Sequence, residues 1–254
     1  SLQGCIHGVP RQTPPGPGHR KLRCVGYSGL VQSLAARAGT GLAIIPGHCD
    51  PTARPIPNVV ERYYEKSALS DEANRFRTEG FLRDGALTRA GGQRLPMAEL
   101  PPFLRALLVT DGTVTKILEA YFWEPVEVRT LEQDFWTAER PVDWLGVETG
   151  DKILIRLAHL QGIDSGRTYA EAFSVIRADL IPAAFRQRLI DREIGIGVLI
   201  RDSGLESYRE VMEIGIDHPD PGEERVFRTY RIIIAGAPVI LITESFPLAL
   251  YARA

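Results

Sequence analysis

Apolar positions run almost unbroken from Asp151 to Leu160 (Asp-Lys-Ile-Leu-Ile-Arg-Leu-Ala-His-Leu), between Gly150 and Gly162. β-Branched and aliphatic residues bounded by glycines predict a strand. Alternation puts Ile153, Ile155 and Leu157 on one face and Leu154, Arg156, Ala158 and Leu160 on the other. Both faces are apolar, as in a strand covered on both sides. Arg156 interrupts one of them. A guanidinium does not shed its charge, so a buried one needs an anion, either a carboxylate of the chain or one of a ligand.

The same rhythm predicts strands over Val126–Phe135 and Thr168–Arg177, the latter a hairpin partner of the Arg156 strand across Gly162–Gly166. A second hairpin joins Arg225–Ala235 to Pro238–Glu244 across Ala235-Gly236-Ala237, with Ile240, Ile242 and Glu244 on one face. Glu244 closes an apolar face much as Arg156 does. Helical spacing appears elsewhere. Val59, Val60, Tyr63 and Tyr64, then Ala68, Leu69 and Phe76, make one stripe. Phe103, Leu104, Leu107 and Leu108 make another, opened by Pro101-Pro102 and ended by Asp111-Gly112. Thr113 caps a helix over Val114–Phe122 that Pro125 stops, and Phe185, Leu189 and Ile190 mark one within Asp179–Asp191. Gly195-x-Gly197 lacks the third glycine and the strand–turn–helix setting of a phosphate loop, and reads as a simple turn. Arg89–Arg94 reads as a loop. Strands joined by short turns, with helices grouped between them and no βαβ alternation, predict an α+β fold: an antiparallel sheet with helices packed on it.

Residues 1–57 differ from the rest. Prolines recur among Gly, Arg and Thr, the composition of a linker or poorly ordered extension, which leaves the folded domain to 58–254. All three cysteines (Cys5, Cys24, Cys49) and three of the five histidines (His7, His19, His48) fall there. No paired Cys-x-x-Cys spacing accompanies them, so the expectation is no metal site. An odd number of thiols suggests a reducing compartment, the cytoplasm. Ser1–Gly18 offers Pro and Gly where a secretory signal has an apolar block. A formal charge of −2 argues against a general nucleic-acid or anionic-membrane surface, and no apolar run reaches the roughly 18 residues of a membrane helix.

Five segments in order carry a resemblance: Thr110-Asp-Gly-Thr-Val-Thr-Lys116, Ile153-Leu-Ile-Arg156, Ala172-Phe-Ser-Val-Ile176, Glu210-Val-Met-Glu-Ile-Gly215, and Tyr230 through Glu244. Together they resemble the chorismate lyase (chorismate pyruvate-lyase) family from about Pro101 to Tyr251. The resemblance implies a small buried pocket under the sheet's helices, no metal and no organic cofactor. The implied partner is a small molecule, chorismate or a related carboxylic acid, cleaved to 4-hydroxybenzoate and pyruvate. Arg156 matches the family's carboxylate-binding arginine, Glu244 its essential glutamate beside the ring hydroxyl, and Val114, followed by Thr115, a pocket-lining position. The residue types suit the chemistry. A planar guanidinium grips a carboxylate through parallel hydrogen bonds, and a glutamate in an apolar site hydrogen-bonds a hydroxyl or shuttles a proton.

One position departs from the family. In the ubiquinone-pathway lyases a second arginine follows a glycine in the strand after Arg156; here Ala172 and Phe173 stand there. Phe173 then lines the pocket, and Arg177, Arg228 or Arg231 is left to hold a second carboxylate. If none does, the substrate carries one carboxylate. Two alternatives stay open, a same-fold enzyme for another aromatic or enol-ether acid and a non-catalytic acid sensor. The bland reading of Arg156 and Glu244 is a structural ion pair. His159, Trp144 and Tyr169 read as packing, and Tyr208 and Arg209 as the pocket rim.

Overall fold

The computed structural model describes residues 58–78, 84–89, 91–191, 195–219 and 221–252, all within the compact unit Arg54–Ala254. The proline-rich stretch 1–57 and its cysteines and histidines lie outside the described residues. Helices α1 (Asn58–Glu61) and α2 (Asp71–Thr78) precede a small hairpin of β1 (Ala86–Thr88) and β2 (Arg94–Pro96). Helices α3 (Pro102–Val109) and α4 (Val114–Phe122) lead to three long strands, β3 (Val126–Thr137), β4 (Lys152–Gly162) and β5 (Thr168–Ile176). Helices α5 (Ala183–Ile190) and α6 (Ile196–Ser203) follow, then β6 (Ser207–Asp217), β7 (Arg225–Ile234), β8 (Ala237–Pro247) and a single turn, α7 (Leu248–Tyr251). The long strands form one antiparallel sheet in the order β3-β4-β5-β8-β7-β6. The fold is the α+β arrangement expected from the pattern. Among the described residues no helix is long and apolar enough to cross a membrane.

Both expected hairpins are present. The β7–β8 loop has two residues, Ala235 at φ 51° and Gly236 at φ 79°, so both adopt the left-handed region that matches the twist of the flanking strands. One expectation needs correction. Ile196–Ser203 is a helix rather than a turn: Ile196, Leu199 and Ile200 recur at helical spacing and are buried, and Gly204 at φ 66° ends it. Gly195 and Gly197 argue against a helix in the sequence because glycine has low helix propensity. The expected loop Arg89–Arg94 is the tip of the β1–β2 hairpin, whose three-residue strands are too short to alternate visibly in the sequence.

Register decides what each face carries. On one face of β4, β5, β8 and β7, Leu154, Ile176, Ile240 and Ile232 line up as a row. Next come Arg156, Ser174, Ile242 and Tyr230, and then Ala158, Ala172, Glu244 and Arg228. Leu160 opposite Ala170, and Val226 opposite Phe246, close the series. The first row packs under α5 and α6 with Phe185, Leu189 and Leu199. The last packs under α3 and α4 with Leu104, Leu107 and Leu118. Each such buried side chain contributes roughly 1.5–3 kcal/mol, so two apolar clusters anchor the helix pairs at opposite ends of the face. The two polar rows lie between them. The other face buries Ile153, Ile155, Phe173, Val175 and Leu241 against Tyr63, Trp144 and Leu145.

Candidate active site

Between the helix pairs a cavity of about 70 Å³ opens on the polar rows. From the sheet it is lined by Arg156, Ala172, Ser174, Tyr230 and Glu244. Thr113–Thr115 line it from the start of α4, and Gly195 and Gly197 from the start of α6. First-turn N–H groups of a helix have no intrahelical acceptor and carry the positive end of its dipole, so two such turns at one cavity favour an anion.

Glu244 is buried and held from two sides. Nε of Arg228 donates to its Oε2 at 2.9 Å, Nη2 lies at the same distance, and the Tyr230 hydroxyl donates to Oε1 at 3.1 Å. The Arg228 guanidinium also lies 4.7 Å from the centre of the Tyr230 ring. Burial, and then the charge on Glu244, push the Tyr230 hydroxyl well above its ordinary pKa, so it stays a donor. Removing two ions from water costs several kcal/mol each, and apolar residues of like volume often serve stability as well or better. Stability alone therefore does not call for Arg228 and Glu244 here. The pair sets the Glu244 carboxylate at the cavity wall.

Arg156 is 2% exposed, and both Nε (3.2 Å) and Nη2 (2.8 Å) donate to the Thr130 hydroxyl. A bulge between Thr130 and Glu132 separates that contact from Gln133. Gln133 donates to the Leu189 and Ile190 carbonyls at 3.0 Å each, tying the end of α5 over this face. The α3–α4 loop is clipped from the sheet: Nη1 of Arg228 donates to the Thr110 carbonyl at 2.6 Å, and Nη1 of Arg209 to the Asp111 carbonyl.

Of the residues expected from the sequence, Arg156, Glu244, Val114 and Thr115 meet at the cavity. Phe173 does not. It faces the opposite side of β5, where its ring packs 5.8 Å from that of Tyr63. The cavity-facing residue at the departed position is Ala172, which lies opposite Ala158 and Glu244. Arg177 donates to the Leu145 carbonyl at 3.2 Å, and Arg231 pairs with Glu210 at 2.6 Å and with the Trp144 carbonyl at 3.0 Å, so neither reaches the cavity. Strand parity turns Phe173 and Arg231 away from the face that carries Arg156. The structural pair of Arg156 with Glu244 is absent too, since the cation on Glu244 is Arg228. Tyr230, Ser174 and the start of α6 were not singled out from the sequence. Alternation along β7, which puts Tyr230 on one face with Arg228 and Ile232, is the signal that could have pointed to Tyr230. Arg209, read as rim, is a lining residue.

Fold and cavity together define an α+β protein with a small buried site lined by charged and apolar side chains. Residues 108–253 match the family model described as chorismate pyruvate-lyase Rv2949c-like, and the chain belongs to that family. The chorismate pyruvate-lyase of Mycobacterium leprae (strain TN) is 33% identical over 153 residues, covering 56% of this chain and 73% of that protein. The chorismate pyruvate-lyase of Mycobacterium tuberculosis (strain ATCC 25618 / H37Rv) is 26% identical over 156 residues, covering 56% and 78%. Among solved structures, the effector domain of PhnF from Mycobacterium smegmatis aligns with a TM-score of 0.43 and 14% identity over 54% of this chain and 88% of its own.

Proposed function

We propose that the cavity binds chorismate and eliminates pyruvate from it, leaving 4-hydroxybenzoate. One observation carries the reading: a buried arginine and a buried, doubly held glutamate line a single small cavity, on adjacent rows of the sheet, in a chain of this family. In the reaction the ether bond at one ring carbon breaks, and the neighbouring hydroxyl-bearing carbon loses its hydrogen. The ring becomes aromatic, and the departing enolpyruvyl group gains a proton at its methylene carbon to become pyruvate. Atoms balance without water or an electron acceptor. Aromatisation drives the step, so the protein's part is to orient the substrate and exclude water.

Arg156 takes the ring carboxylate, with Thr130 fixing its plane. Glu244 accepts the ring hydroxyl. An ionised carboxylate has about four acceptor sites. Nε of Arg228 and the Tyr230 hydroxyl donate one hydrogen bond each, with Nη2 of Arg228 in ion-pair contact, which leaves room for a further donor on Oε1. Val128, Leu160 and Ile242 supply apolar wall for the ring.

Calorimetric titration with 4-hydroxybenzoate tests the assignment. Arg156→Ala should abolish binding, while Glu244→Gln should retain it within about tenfold, roughly one neutral hydrogen bond, and lose turnover of chorismate. Equal affinity in wild type and Arg156→Ala would return Arg156 to a structural role. Wild-type protein that is folded yet binds no aromatic acid would sink the reading.

A further inference from the structure

We propose that Arg209 grips the second carboxylate of the substrate, on the enolpyruvyl arm, and so sets the site's preference for dicarboxylates. This rests on the reading of the cavity as the chorismate site. Arg209 stands on β6 opposite Ile232, which extends the row Leu154–Ile176–Ile240–Ile232 on the cavity face. Arg156 enters from β4, so the two arginines come from opposite sides of Glu244 on β8. A ligand with an acidic group at each end fits that placement.

The partners of Arg209 also set it apart. Four arginines lie on β6 and β7, and three have a carboxylate close by: Arg225 with Glu223 at 2.6 Å, Arg228 with Glu244 at 2.9 Å and Arg231 with Glu210 at 2.6 Å. Arg209 has the neutral Asp111 carbonyl and, among the described residues, no carboxylate in salt-bridge contact; its Nε, like Nη2 of Arg228, is buried without a hydrogen-bond partner. A buried, unpaired donor of a charged group costs more than a neutral one, so an incoming carboxylate gains there what the fold leaves unused.

The neighbourhood leaves room for it. A Cβ at Gly197 would meet the Thr113 methyl at 3.4 Å and Nη2 of Arg209 at 3.8 Å. With glycine there, the space between the first turns of α4 and α6 stays open beside the guanidinium. On β5, Ala172 projects only a methyl group into the cavity and Phe173 turns to the opposite face, so that strand supplies no cation. The second cation of the site therefore comes from a different strand.

Two probes separate the carboxylates: 4-hydroxybenzoate carries one and meta-(carboxymethoxy)benzoate two. Wild type should bind both. Arg209→Gln should hold 4-hydroxybenzoate within about threefold and lose roughly 10–150-fold toward the dicarboxylate, the range of one charge-assisted hydrogen bond. Its KM for chorismate should rise in step, and Arg209→Lys should recover part of the loss. Circular dichroism and the retained 4-hydroxybenzoate affinity report that the variant is folded. Equal weakening toward both probes, or none toward either, overturns the role of Arg209 and leaves the cavity assignment standing. Wild type that binds neither probe overturns the cavity assignment and this inference with it.

Discussion

Replacing Arg228 by Met should be among the most damaging single changes in the sheet, and the reason is Glu244. The two side chains are 1% and 8% exposed and meet at 2.9 Å. At the surface such a pair is worth about 0–1 kcal/mol. Buried, the loss of one partner strands a charge, which costs about 3–5 kcal/mol. The Thr110 carbonyl also loses its 2.6 Å donor, loosening the loop ahead of α4. For a domain of this size that corresponds to a fall in Tm of roughly 6–20 °C. Urea unfolding at neutral pH, followed by circular dichroism, measures it. The companion variant Arg228→Met/Glu244→Leu removes both charges and should recover about half of the loss or more, because an apolar pair in place of a buried ion pair is often neutral or stabilising. The stranded Tyr230 hydroxyl, at about 1–3 kcal/mol, limits the recovery. A single variant that costs under ~1 kcal/mol, or a double variant no more stable than the single, would refute this account of how Glu244 is held.

Two further outcomes follow from local geometry. Ala235 sits at φ 51° before Gly236 in the two-residue β7–β8 loop; Ala235→Asn suits that conformation better and should stabilise by about 0.5–1 kcal/mol, read as a higher urea midpoint, with an unchanged or lower midpoint counting against it. The Glu124 carboxylate accepts from the Tyr169 hydroxyl and from the Ser165 and Asp164 amides, and these bonds, that of Tyr169 foremost, hold its pKa below the ordinary 4.5. Because the folded value is the lower one, its contribution is complete above 4.5 and is lost as pH falls through that lowered value. Exchange of the Asp164 and Ser165 amides, corrected for intrinsic rates, should therefore accelerate in acid, and Glu124→Gln should already exchange faster at neutral pH; exchange that is flat with pH in the wild type would contradict this.

Strand alternation made much of the site legible. Arg156 and Glu244 stand out because each is charged within an apolar alternation, and both end up at the cavity. Their partners were not legible, because they depend on register between strands far apart in sequence. That Arg156 lies beside Ser174, and Ala172 beside Glu244, follows from the length of the Gly162–Gly166 turn and from β8 inserting between β5 and β7. A shift of one residue exchanges Ala172 for Phe173 on the cavity face. The same dependence turned Arg231 away and brought Arg209 in. Helix α6 was obscured for a different reason. Glycines at its N-cap and in its first turn lower the helix propensity of a short segment, and the glycine at 197 leaves that end of the cavity open beside Arg209.

The most direct test of the site assignment is to incubate purified wild-type protein with chorismate and quantify pyruvate and 4-hydroxybenzoate as they appear. The expected result is equal amounts of both, formed by wild type and abolished in Glu244→Gln that still binds 4-hydroxybenzoate. Folded wild-type protein that binds 4-hydroxybenzoate yet releases no pyruvate would contradict the assignment and leave the cavity as the pocket of a non-catalytic acid binder.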